Sequence, residues 1–237
     1  MKISVLTYNI CFNKALTGLN RILQIQRPDI VCLQEVDTTN GFLDNFKLDN
    51  LLLADYTNSF WTLGRIFGQT TFFNPEKFRL IDSSNFDLPR SFYETLLIII
   101  RGFNNPRTIL KNTFLHLKSN QKITVYNVHL SALLMASNGK RYQQIEETLA
   151  DLKITKHEKA IITGDFNYSF RRKKFESLIQ QYGLKEATNN LTFTSSYFRF
   201  FKLKLDYILY KGLTCVQNRR LPVEGSDHYP IFCEFTI

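Results

Sequence analysis

The chain has 237 residues, 44% of them hydrophobic, and thirty Lys and Arg against twenty-one Asp and Glu leave a formal charge of +9. That length and apolar content predict one large domain over 1–237 with a full core, since no Gly-, Ser- or Pro-rich stretch marks a linker. The longest purely apolar run, "LLIII" at 96–100, is far too short to cross a bilayer, and the positive balance favours a polyanionic partner, either nucleic acid or an anionic membrane surface.

In chain order, "MKISVLTYNI" alternates apolar and polar residues after a single Lys, so Lys2–Ile10 reads as a strand and not as a signal peptide, and a cytoplasmic protein is expected. Leu19, Ile22 and Leu23 give a short helical stripe that stops before Pro28. "DIVCLQEV" is a continuous apolar run closed by polar residues, the pattern of a strand buried on both faces. Strands are predicted at Gln69–Phe73 and Phe78–Ile81 around the turn "NPEK", and "LKNTFLHL" and "KITVYNVHL" flank "KSNQ" as a hairpin. Trp61, in "SFWTLGRIFG", is read as a core plug. A helix is expected over Lys140–Lys153, with Tyr142, Ile145, Leu149 and Leu152 on one side. "KAIIT" is another buried strand, Lys173–Gln181 a second helix ended near Gly183, and "LKLDYILY", Cys215–Arg219 and "IFCEF" complete the strand set. Many strands and few helices point to an α/β sandwich of mixed sheets rather than a regular βαβ array. Cys11, Cys32, Cys215 and Cys233 form no C-x-x-C pair and read as reduced thiols, while the scattered His116, His129, His157 and His228 offer no zinc cluster.

Several apolar runs end alike: "VLTYN" at Asn9, "IVCLQE" at Glu35, "ITVYNVH" at His129, and "AIITGDFN" at Asp165 and Asn167. Each ending alone has an ordinary reading as a turn or a cap. Together they sit where loops converge beyond strand ends, which is where α/β proteins place ligands. Carboxylates with an Asn carbonyl suit a hard divalent cation such as Mg²⁺ or Mn²⁺, able to polarise a phosphoryl oxygen. "SDH" at Ser226–His228 adds a carboxylate and an imidazole, and Asp206 in "LKLDYIL" can accept a bond from an imidazole and set its tautomer.

"TYN", "PDIVCLQEV", "YNVHLS", "ITGDFN", "LDYIL" and "GSDHYPI", in that order along the whole chain, resemble the signature motifs of the endonuclease/exonuclease/phosphatase superfamily, the deoxyribonuclease I-like fold. The resemblance implies a four-layer α/β/β/α sandwich of two mixed sheets. It also implies that Glu35 is the principal metal ligand, with Asn9 close by and Asp227 completing a Mg²⁺ site that Mn²⁺ can also fill. Asp165 and Asn167 would orient the attacking water and the phosphate, and His129 would contact a phosphate oxygen. His228, held by Asp206, would act as general base or as the imidazole that stabilises a phosphorane-like transition state. Two departures narrow the choice: Cys11 stands where abasic-site endonucleases of the exonuclease III type carry an acidic residue, and "YNVHL" replaces their Tyr-x-Pro-Asn. The histidine-containing version resembles deoxyribonuclease I, tyrosyl-DNA phosphodiesterase 2, deadenylases, sphingomyelinases and inositol polyphosphate phosphatases.

The basic runs "RRKK" at Arg171–Lys174, "RFFKLK" at Arg199–Lys204 and Arg219–Arg220 all fall in the C-terminal third. Strand periodicity would line Phe200, Lys202 and Lys204 up with Asp206 as a basic, aromatic lane toward the carboxylate; with Arg171 these are the expected substrate-binding residues. The expectation is therefore a monomeric, Mg²⁺-dependent nuclease or DNA-repair phosphodiesterase acting on nucleic acid, DNA first. Its alternatives are a lipid or inositol phosphate phosphodiesterase, an RNA deadenylase, and, last, a binding module without catalysis.

Overall fold

The computed structural model describes residues 1–62, 64–89, 92, 95–96, 108–132, 136–154, 158–169, 171–197 and 201–237. They form two six-stranded sheets and a two-stranded hairpin. The first sheet contains β1 (Lys2–Asn9), β2 (Ile30–Asp37), β3 (Leu52–Thr62), β4 (Arg65–Phe73), β13 (Thr214–Arg220) and β14 (Ile231–Thr236), in the order β13-β14-β1-β2-β4-β3. The second contains β5 (Phe78–Asp87), β6 (Thr108–His116), β7 (Gln121–His129), β8 (Ala160–Asp165), β9 (Lys185–Glu186) and β12 (Asp206–Lys211), in the order β5-β6-β7-β8-β12-β9. β10 (Ser195–Tyr197) and β11 (Phe201–Leu203) make the hairpin. Each large sheet is mixed: β1 runs parallel to β2 and β7 parallel to β8, while the other pairings are antiparallel.

The continuous apolar runs are explained by three cores stacked on the two sheets. Ile3, Val5, Ile30 and Cys32 face Val125, Ile161 and Ile208 between the sheets. Their chain neighbours Leu6, Val31 and Leu33 face outward onto Leu19, Ile22 and Leu23 of helix α1 (Leu16–Gln26). On the far side, Tyr126, Ile162 and Leu209 pack under Ile145, Leu149 and Leu152 of α3 (Asn138–Ile154) and Phe175, Leu178 and Ile179 of α4 (Arg172–Gln181); the short α2 (Asn40–Leu43) lies on the first-sheet side. Alternate residues point to opposite faces, so a strand covered on both faces must be apolar throughout. The four-layer α/β/β/α sandwich is the architecture the motif order implies, and among the described residues no helix is long and apolar enough to cross a membrane.

One strand goes unread in the sequence and one expectation changes. β3 is a strand that the polar stretch "ADYTNS" conceals; it is an edge strand bonded to β4 alone, with bulges at Leu53/Asp55 and Asn58/Phe60. Trp61 lies on it opposite Ile66 and stays 37% exposed, so it is not a core plug; Phe60 takes the inward face. Cys32 and Cys233 are buried thiols as read, whereas Cys11 and Cys215 are half-buried.

Candidate active site

The topology brings six separated segments to one end of the sandwich. β1 ends there at Asn9, β2 carries Glu35 two residues before its end at Asp37, β7 and β8 end at His129 and Asp165, β12 begins there at Asp206, and the segment entering β14 carries Asp227 and His228. Within the second sheet His129 pairs with Asp165, and Asp165 with Asp206, so register alone sets three titratable residues in a row across neighbouring strands.

Local backbone geometry aims the side chains. Glu35 is the extra residue of a β-bulge, between Gln34 and Val36 against β4, and has φ 58°. A left-handed Glu is uncommon, and the bulge turns its carboxylate out of the ladder. The bulge partner must be glycine: a Cβ on Gly68 would lie 1.5 Å from the Thr57 carbonyl oxygen of β3. Gly164 has φ 136°, and a Cβ there would meet the Val128 carbonyl oxygen at 2.0 Å, which explains the residue preceding Asp165 in "ITGDFN". Beyond β8 the chain turns at Asn167, φ 49°, whose backbone N–H donates to Asp165 Oδ1 at 2.8 Å and whose side-chain Nδ2 donates to Oδ2 at 3.0 Å.

Asp165 is the hub. Its Oδ2 also accepts from Asn9 Nδ2 at 3.2 Å and lies 3.7 Å from Nε2 of both His129 and His228. Asn9 Nδ2 donates in addition to Glu35 Oε1 at 3.1 Å, and His129 Nε2 stands 3.7 Å from that same oxygen. His228 Nδ1 faces both oxygens of Asp206, at 3.1 and 2.9 Å. Burial opposes the charge on this imidazole, but the carboxylates of Asp206 and Asp165 outweigh it and raise the His228 pKa to about 10. Burial, with Asp206 nearby, pushes the Asp165 carboxyl up to about 7 despite the attraction of His228. Asp165, Asp206 and His228 are each at most 3% exposed.

Ser226, the first residue of "SDH", has a structural task. Its Oγ donates to the Asn9 carbonyl at 2.8 Å and accepts from the His228 N–H at 3.0 Å, tying the last loop to the end of β1. From the other side the Ser196 N–H donates to the Asp227 carbonyl at 2.7 Å and Ser195 bridges His228, so the β10–β11 hairpin buttresses the loop. Asp227 and Glu35 both act on Cys11, whose thiol burial and those carboxylates push up to about 11.

The expected cluster of Asn9, Glu35, His129, Asp165, Asn167, Asp206 and His228 therefore converges, with Asp227 at its rim. Asn9 differs in detail: its Oδ1 accepts from the Cys11 N–H at 3.0 Å, so its amide nitrogen, and not its oxygen, faces the carboxylates. The basic lane is not continuous. Lys204 turns inward, 13% exposed, to an ion pair with Glu186 Oε1 at 2.7 Å that Arg172 shares, because the chain leaves β11 at Leu203 before reaching it. Burial lowers the Lys204 pKa. Arg171 is exposed at the left-handed residue before α4, Lys202 is exposed on β11, and Phe200 lies outside the described residues. Asn127, on the His129 face of β7, bonds Gln34 at 2.8 Å and the Leu33 and Thr70 carbonyls, and so bridges the sheets beneath the cleft. Sequence reading missed the aromatic wall beside Glu35 and His129: Phe60 meets the His129 ring edge-on at 5.9 Å, with Phe12 and Phe67 behind it. The left-handed run Cys11–Asn13, φ 48°, 56° and 65°, carries Phe12 there, and such a run leaves no simple sequence signal.

Comparison with known proteins agrees with this geometry. The family model described as "Endonuclease/Exonuclease/phosphatase family" matches residues 6–228. A UPF0294 protein of Yersinia pestis is 29% identical over 137 residues, covering 53% of this chain and 51% of that protein, so the chain spans about half the length of the curated relatives it matches. The human Nocturnin catalytic domain with bound sulfate superposes with a TM-score of 0.75 at 21% identity, over 99% of this chain and 94% of that one. A mannosyl-6-phosphatase of Bacteroides thetaiotaomicron gives 0.74 at 18%, over 99% and 100%. The fold is thus shared with these proteins, and the match over 6–228 settles the kinship: this chain belongs to the endonuclease/exonuclease/phosphatase family of hydrolases.

Proposed function

We propose that the protein is a divalent-metal-dependent phosphodiesterase that hydrolyses nucleic acid. The observation that carries the reading is the convergence on Asp165 Oδ2 of two amide and two imidazole nitrogens, all within 3.7 Å, beside the bulged Glu35. The donor set is rich in carboxylate oxygen, from Glu35, Asp165, Asp206 and Asp227, which fits a hard cation such as Mg²⁺. Glu35 and Asp227 would hold it, because Asp206 and Asp165 are engaged with His228 and the Asn9 oxygen with Cys11. Asn9 then braces Glu35 through Nδ2. When bound, such a cation neutralises phosphate charge and stabilises the leaving oxygen.

The chain's own residues supply the rest. Asp165, raised by burial, is basic enough to take the proton of a water that Asn167 helps to orient. That water attacks phosphorus from one side as the phosphorus–oxygen bond on the other side breaks, giving a phosphomonoester and an alkoxide that takes up a proton from solvent. Of the two roles open to His228, the imidazolium is favoured, since Asp206 engages Nδ1 and keeps the ring charged while Nε2 points to Asp165. His228 and His129 would donate to the non-bridging oxygens as their charge grows. The formal charge of +9 supports nucleic acid over an uncharged or single-phosphate ester.

The test is a panel of single-stranded and duplex DNA, oligo-A RNA and a sugar phosphomonoester, each with Mg²⁺ or EDTA, with wild type and Glu35→Gln. Mg²⁺-dependent cleavage of nucleic acid is expected, with kcat reduced about 10³-fold by Glu35→Gln while binding survives. Preferential turnover of the phosphomonoester, or activity indifferent to EDTA, would overturn the proposal.

A further inference from the structure

Several cations among the described residues are neutralised by carboxylates: Arg65 by Asp37, Lys77 by Asp29, Lys111 by Asp151, and Arg172 and Lys204 by Glu186. Two beside the active site are held differently. The Lys202 ammonium lies 4.7 Å from the centroid of the Phe193 ring. The Arg220 guanidinium lies 3.7 Å from that same centroid and 4.6 Å from the centroid of Tyr229. Phe193 and Tyr229 meet edge-on at 5.5 Å, so the four side chains form a ladder in which cations and rings alternate. Among the described residues, neither Lys202 nor Arg220 is in an ion pair.

The ladder is fixed to the catalytic loop. Tyr229 follows His228 directly, and its N–H donates to the Thr194 carbonyl at 2.7 Å. Lys202 pairs across the hairpin with Ser196, whose own N–H holds Asp227. Arg220 ends β13 opposite Ile231, and the Leu221 N–H bonds the Pro230 carbonyl at 2.8 Å. One Arg220 nitrogen donates to the Phe193 carbonyl at 3.2 Å; a guanidinium has five N–H groups, so donor capacity remains.

We propose that Lys202 and Arg220 form a second anion site, which takes a phosphate of the substrate chain other than the one being cleaved. The proposal rests on the phosphodiesterase reading above and narrows it to a substrate with at least two phosphates in series. Aromatic faces attract and orient cations without cancelling their charge, unlike carboxylates. Two like charges held on one ring repel, and an anion whose oxygens reach both relieves that repulsion. Because these rings are already faced by cations, the site reads charge and does not serve as a platform for stacking a base. A guanidinium can present paired N–H donors to phosphate oxygens, while the ammonium adds a point charge.

The experiment compares Lys202→Gln, Arg220→Gln and Phe193→Leu with wild type on a short single-stranded oligonucleotide and on the p-nitrophenyl ester of thymidine 5′-phosphate, which has one phosphate. For the oligonucleotide, KM should rise about tenfold in each charge variant with kcat unchanged. The single-phosphate ester should be cleaved as by wild type. Binding of the same oligonucleotide in EDTA, followed against salt, should lose slope by about 0.7 for each cation removed. Phe193→Leu keeps both charges and should weaken binding less. Wild-type affinity and salt slope in Lys202→Gln, whose side chain is exposed on β11, would overturn the proposal even if Arg220→Gln misfolds. A wild type that cleaves neither ester would sink the phosphodiesterase reading instead, and the EDTA binding data would still judge the anion site.

Discussion

The two flanks of the cleft hold their functional groups by different means. On the side of β8, β12 and β14 the side chains are buried and hydrogen-bonded in a chain from Asp206 through His228 to Asp165, and a ladder of cations continues beyond. On the side of β1 and β2, Glu35 retains 16% side-chain exposure, is braced by one amide, and faces a wall of Phe12, Phe60 and Phe67. The first flank stores charge in a low-dielectric setting and must neutralise it internally. The second leaves a carboxylate where a cation can reach it, and it borders that carboxylate with apolar surface. A phosphodiester bearing a nucleobase has one part suited to each: the charged backbone for the first flank and the ring for the second.

The largest expected effect tests the buried flank through pH. The Asp165 pKa is raised from 3.8 to about 7 and that of His228 from 6.5 to about 10, so the folded protein binds both protons more tightly than the unfolded chain does. Stability of the metal-free protein must then fall as pH rises. The Asp165 share is lost between 3.8 and about 7; the His228 share is whole below 6.5 and gone above about 10. Urea titrations in EDTA should show a decline of a few kcal/mol over that range. Asp165→Asn should flatten its lower part and His228→Asn its upper part. Stability that rises with pH would show that these groups are not held as described.

Next in size is Asp206→Asn. An amide keeps a hydrogen-bonding atom near His228 Nδ1 but removes the charge that sustains the imidazolium. Activity should fall about 10- to 100-fold, as is usual when the partner of a catalytic imidazole is altered, and the alkaline limb of the rate profile should move to lower pH. An unchanged limb with lower activity would make Asp206 a packing element, and the contrast between the flanks would weaken.

What the sequence disclosed followed from which features are local. Runs such as "IVCLQE" and "AIITGD" mark two-faced burial because every position must be apolar, and the polar residue ending each run marks the cleft. The bulge at Glu35 was not legible, since it depends on β4 approaching through Gly68 and β3 lying behind it. Lys204 misled for a related reason: strand alternation assigns it to the lane, but β11 ends at Leu203 and Glu186, distant in sequence, captures its ammonium. Arg220, Phe193 and Tyr229 come from three segments, and only the packing of the hairpin on the last loop unites them. The task of Ser226, a tie between β1 and the final loop through its bond to the Asn9 carbonyl, likewise depends on a contact between distant segments.

The smallest effect concerns the aromatic flank. Phe12 is half-buried, has a left-handed backbone one residue beyond Cys11, whose N–H bonds Asn9, and contacts Phe60 at 5.9 Å and Phe67 at 5.1 Å. Its position resembles that of a stacking ring more than that of a core ring, since Phe67 behind it is 3% exposed and already closes the core. Stacking of one base on an aromatic side chain contributes about 1–3 kcal/mol. Phe12→Ala should therefore raise KM for an oligonucleotide about tenfold at constant kcat, and affect an oligomer with abasic sites at the bound positions much less. Phe12→Tyr should restore the loss because it keeps the ring. Equal losses on the base-bearing and base-free oligomers would mean that Phe12 only supports the loop holding Asn9. In that case the ring-binding half of the comparison would fall, while the charge-binding half, resting on Asp206, His228, Lys202 and Arg220, would stand on its own observations.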